Sequence, residues 1–122
     1  MNISILYEEL GTINGYYNKP LRMKQIHINC NLDNRMKKFT CAHELGHAVM
    51  HSNSNTSFLR NTTLFSIDKY KMEANAFAMR LLIPDETIME NYTLTTEQLS
   101  RILGYEQALI DLRLKQFHQI YT

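Results

Sequence analysis

A chain of 122 residues, 44% hydrophobic and with a net charge of +1, is long enough to bury one core. Its basic residues are dispersed, so nothing in the composition calls for nucleic acid or an anionic membrane as a partner. No apolar run approaches the roughly 20 residues of a membrane span, and Met1–Glu9 lacks the basic and apolar regions of a signal peptide. Cys30 and Cys41 are too few for a disulfide framework and read as reduced thiols near core elements of a cytoplasmic protein.

In chain order, residues 3–10 read as a short helix ending at Gly11. Ile13–Tyr17 reads as a strand, Asn18-Lys19-Pro20 as turn material, and Arg22–Asn29 as a second strand pairing with the first. In that second strand His27 takes the pleat face opposite Ile26 and Ile28, which places it toward solvent. Asn31 or Asp33 caps a long helix that runs to about Met50 or His51. Residues 52–63 are rich in Ser, Asn and Thr and read as a surface loop, with Leu64–Ile67 as a short edge strand. A second long helix starts near Ser66 or Asp68 and ends at Pro84, with an apolar stripe of Tyr70, Ala74, Phe77, Ala78, Leu81 and Leu82. Thr95 with Gln98 forms a capping-box pattern for a third helix stopped by Gly104. A last amphipathic helix carries Leu109, Ile110, Leu112, Leu114 and Phe117. This order specifies an α+β fold, expected as one domain over residues 1–122 with the helices of 96–120 appended.

The first long helix carries the chemistry. His43-Glu44-Leu45-Gly46-His47 is an H-E-x-x-H pattern, and on a helix its two histidines lie about 40° apart around the axis and about 6 Å along it. Both imidazoles can close on one zinc ion from the same face, with Glu44 flanking the metal as a general base. The bare pattern also fits two solvated histidines and a glutamate. Here the apolar flanks Phe39, Ala42, Leu45, Ala48, Val49 and Met50 point to a buried helix, in which polar groups need partners that a metal supplies. Gly46 costs roughly 1 kcal/mol against Ala inside a helix, so another element is expected to approach the backbone there.

Ile28-Asn29, then Phe39-Thr40-x-Ala42-His43-Glu44-Leu45-Gly46-His47, then Glu73-Ala74-Asn75-x-Phe77-Ala78-x-x-Leu81-Leu82-Ile83-Pro84 together resemble the ImmA/IrrE family of zinc metallopeptidases. The resemblance covers roughly residues 13–85. It implies a small gluzincin-like fold, with a short antiparallel sheet packed on the H-E-x-x-H helix and on a second core helix. It also implies a cytoplasmic bacterial, phage or mobile-element protein. Such a protein relieves repression by cutting, or otherwise disabling, a helix-turn-helix repressor encoded nearby.

A catalytic zinc takes three protein ligands plus water, and Glu73 is the carboxylate within the second motif. In relatives the liganding glutamate commonly sits four residues before the Asn or Asp of that motif, a position held here by Lys71. Residues 71 and 75 are about 40° apart on a helix, whereas 73 and 75 are about 200° apart. If Asn75 orients a ligand histidine, Glu73 reaches the metal only through a shifted register. Three arrangements therefore stand. Glu73 completes the site and is taken here as the third ligand; or His51, Asp68 or a partner's side chain does so; or the site is degraded and the protein is a non-catalytic antirepressor. Tyr16, Tyr17 and Tyr70 are possible oxyanion donors, though core packing accounts for each. Leu99 to Phe117 has a faint helix-turn-helix look. Its second helix sets Glu106 and Asp111 against Arg113 and Lys115, a near-neutral face unsuited to phosphates, so direct nucleic-acid binding is not expected.

Overall fold

The computed structural model describes residues 2–50 and 64–121, with the side chains of the second segment from 69 to 120. Three strands, β1 (Ile3–Glu8), β2 (Gly15–Asn18) and β3 (Lys24–Asn29), form a sheet in the order β1-β3-β2. The β2–β3 pair is antiparallel, with Gly15 opposite Ile28 and Tyr17 opposite Ile26. The first segment is a strand rather than the short helix its sequence reads as. It runs parallel to β3, from Ile3 opposite Lys24 to Glu8 opposite Asn29, which makes the sheet mixed. A short apolar run such as Ile3-Ser4-Ile5-Leu6-Tyr7 has no decisive period. Its β-branched and aromatic side chains fit a strand, and the ladder offered by β3 some twenty positions later decides the matter.

The strands close on α1 (Asn34–Met50). Asp33 caps that helix, its Oδ1 accepting the Met36 N–H at 2.8 Å. Tyr17, Ile26, Ile28 and Ala48 are almost wholly buried together, with Ile3, Leu32, Cys41 and Leu45 packed on them. Packing is close at Gly15. A Cβ there would stand 2.6 Å from the His27 carbonyl oxygen and 2.7 Å from Thr40 Cγ2 of α1, so only glycine lets β2 lie against both neighbours.

Helix α2 spans Leu64–Leu82. It takes in Leu64–Ile67, expected as an edge strand: so short a run carries no period that tells strand from helix. Its stretch around Ala74 and Phe77 meets α1 at Gly46. A Cβ on Gly46 would stand 3.1 Å from Ala74 Cα and 3.2 Å from Phe77, which is the close approach that a glycine in mid-helix announces. The expected loop of 52–63 lies outside the described residues.

The chain divides into two compact units, Met1–Ala78 and Met79–Thr122, the boundary falling within α2. The second unit holds the end of α2, α3 (Asp85–Glu90), α4 (Thr96–Leu103) and α5 (Gln107–Tyr121). At six residues, α3 is too short to show a period; its signals are Pro84 at the N-cap and Asp85 and Glu86 in the first turn. The capping box of Thr95 and Gln98 is formed, and Gly104 ends α4 in the left-handed region at φ 83°. Ile83, Ile88, Leu99 and Ile110 are buried. Arg113, 1% exposed, donates from Nε to the Ile83 carbonyl at 2.8 Å and from Nη2 to Asp85 Oδ1 at 2.5 Å. Among the described residues no helix is long and apolar enough to cross a membrane.

Candidate metal centre

Helix α1 buries Thr40, Ala42, Glu44, Gly46, His47 and Ala48 and leaves Val49 and Met50 exposed. The polar residues of the motif thus point into the unit, where only paired or ligating groups are stable. The rings of His43 and His47 stand edge to face with centroids 4.9 Å apart, and their Nε2 atoms face each other at 3.3 Å. Glu44, buried beside them, has Oε2 3.9 Å from His43 Nε2. Ligand atoms of His43, Glu44 and His47 all lie within 4.8 Å of one another.

The imidazole spacing tests whether a metal fits. Two nitrogens bonded to zinc at 2.0–2.1 Å in tetrahedral geometry stand about 3.3 Å apart. The pair has that separation already, which is the spacing a shared ion needs. The tautomer is set as well. His43 Nδ1 donates to Asn75 Oδ1 at 2.6 Å, which leaves the Nε2 lone pair directed at the site. Burial lowers the His43 pKa; the Asn75 hydrogen bond opposes this, and the charge of Lys71 adds to it. A neutral imidazole is the form that ligates. Cys41, by contrast, has its thiol pKa raised by burial and then by Glu44, so it is poorly suited to act as a thiolate ligand here.

The peptidase family described as the IrrE N-terminal-like domain matches residues 1–116. The chain belongs to this family. It is 42% identical over 116 residues to "Uncharacterized immunity region protein 2" of Bacillus phage phi105, covering 93% of this chain and 73% of that protein. It is 32% identical over 120 residues to "Metallopeptidase ImmA" of Bacillus subtilis strain 168, covering 93% and 70%. The function is accordingly of the metallopeptidase type.

Within this IrrE-like domain the sequence-derived site residues do not all converge. His43, Glu44 and His47 come together, and Asn75 reaches them from α2. Glu73 is half-buried on α2 and is not among the ligand atoms gathered within 4.8 Å. In a regular helix the turn that brings Asn75 to His43 carries residue 73 about 160° away. The side chains of His51 and Asp68 lie outside the described residues. Tyr17 is core, as packing alone would have it, and Tyr70 is half-buried. His118 is exposed near the C-terminus.

His27 is the residue that strand alternation misplaces. It is 7% exposed, not solvent-facing, because side chains from β1 and β2 close around its ring. Its Nδ1 meets the Glu8 carboxylate of β1 and its Nε2 meets Asn18 Oδ1 of β2 at 3.1 Å. Tyr16 stacks on the ring at 4.3 Å between centroids and 10° between planes. No local signal in the sequence marks this cluster, since its members come from three separate strands. Cys30, expected near the core, is exposed.

Proposed function

We propose that the protein is a zinc-dependent endopeptidase of the cytoplasm, acting on a protein substrate. The favoured substrate is a helix-turn-helix repressor of the phage or mobile element that carries it. The observation supporting this most directly is the pair of imidazoles already set at the spacing of two zinc ligands, with a buried carboxylate alongside. The name of the phage relative, an immunity region protein, supports a target within repressor control.

In this reading His43 and His47 hold the ion through Nε2, and Asn75 keeps the His43 ring in register. Zinc bound there would acidify water and polarise the scissile carbonyl. Glu44 takes the proton of the attacking water on a carboxylate oxygen and returns it to the leaving amide nitrogen. Its burial beside His43 limits the water that competes for that proton. The C–N bond breaks as the new C–O bond is consolidated, giving an acid and an amine.

Glu44→Gln tests the assignment. It keeps the volume and one oxygen acceptor and removes the base. Incubated with the repressor encoded beside it, this variant should retain zinc by elemental analysis and lose cleavage by about 100-fold or more. Undiminished cleavage by Glu44→Gln would remove Glu44 from the mechanism. A non-catalytic antirepressor, the second reading, gains its support from the lysine at position 71 on the Asn75 edge of α2. It requires that the wild-type chain bind the repressor and leave it intact.

A further inference from the structure

The flank of the two histidines contributed by α2 is fixed by two contacts. Gly46 lets Ala74 and Phe77 approach α1 closely, and Asn75 Oδ1 accepts from His43 Nδ1 at 2.6 Å. The α2 edge carrying Asn75 is therefore the one beside His43. Residue 71 lies one turn earlier on that edge, about 40° around, and helical side chains lean back over the preceding turn. The next side chain along this edge is Lys71, an exposed residue. Glu73 lies across the helix from it and stays outside the group formed by His43, Glu44 and His47.

We propose that Lys71 stands at the flank of the site where a third protein ligand from α2 would have to stand, and that its fixed charge holds down the affinity of the two histidines for zinc. The ammonium supplies no lone pair and repels a divalent cation. A cation in this site consequently depends on two imidazoles and on donors other than residues 71 and 73 of α2. This rests on the reading of His43 and His47 as metal ligands.

Zinc affinity of the full chain, measured by competition with a chromophoric chelator, tests the proposal without reference to cleavage. Lys71→Met should bind zinc about 10-fold more tightly than wild type, through loss of repulsion. Lys71→Glu, which offers a carboxylate in the same place, should bind about 100-fold more tightly or better. Glu73→Gln should stay within about threefold of wild type, since a residue outside the site contributes little. Position 71 is exposed, and circular dichroism confirms that the variants fold. A Lys71→Glu protein no tighter than wild type, or a tenfold loss in Glu73→Gln, overturns the proposal. His47→Ala separates the two levels of inference. If it leaves wild-type zinc binding unchanged, the two-histidine reading itself fails; if it abolishes binding while Lys71→Glu has no effect, only the role of Lys71 falls.

Discussion

At the scale of single residues, Asn75 does as much for the proposed metal centre as its size allows. A histidine is an effective ligand only when the proton is on the other nitrogen and the ring is held in plane. Asn75 provides both through one short hydrogen bond to His43 Nδ1. Asn75→Ala should weaken zinc binding by about 10- to 100-fold while leaving the fold intact, read by the same chelator competition. That the two histidines and Glu44 come together is legible from spacing, because a helix converts sequence distance directly into angle, and the close approach at Gly46 is legible from the cost of a glycine in mid-helix. His27 was not. Its partners Glu8, Asn18 and Tyr16 sit at separations that no local period encodes. The alternation that points His27 outward takes no account of the side chains of the flanking strands, which here close around the ring.

At the scale of elements, the contrast lies between α1 and β1. Helix α1 announces itself by a cap at Asp33, a run without proline and a motif in helical register, and it appears where expected. Strand β1 needs β3 to exist. Its six residues form no structure of their own that outweighs the ordering cost, and the parallel ladder to Lys24–Asn29 supplies hydrogen bonds that a period count does not see. Gly15 shows how narrow the fit between elements is. Gly15→Ala would press a methyl against the His27 carbonyl and Thr40, and it should destabilise the protein by about 1–3 kcal/mol. The midpoint of urea unfolding measures this, and a midpoint equal to wild type would mean that β2 has room the distances do not show.

For the molecule as a whole, the two compact units carry different burdens. The first, Met1–Ala78, contains every residue of the proposed centre. The second, Met79–Thr122, is organised around a buried guanidinium. Arg113 ties the carbonyl that follows α2 to the start of α3 through Ile83 and Asp85. Arg113 is buried while Asp85 stays 28% exposed, so Arg113→Ala loses two charge-assisted hydrogen bonds and should cost about 1.5–3 kcal/mol, seen as a lower unfolding midpoint. A loss confined to surface values, about 0.5 kcal/mol or less, would show the pair to be weaker than its burial implies. In the sequence Arg113 looked like one charge among several on an amphipathic helix. Nothing local distinguishes a buried arginine from a solvated one.

The sequence by itself determined the helix that carries the motif, the pairing of β2 with β3 and the capping of α4. Each depends on residues a few positions apart, where chain geometry leaves one arrangement. Only the tertiary structure decided that β1 is a parallel strand, that His27 and Arg113 are buried, and that His43 finds Asn75 on α2. Those facts depend on which surfaces meet after the elements form. That choice is made by burial and long-range hydrogen bonding, neither of which leaves a local period in the sequence.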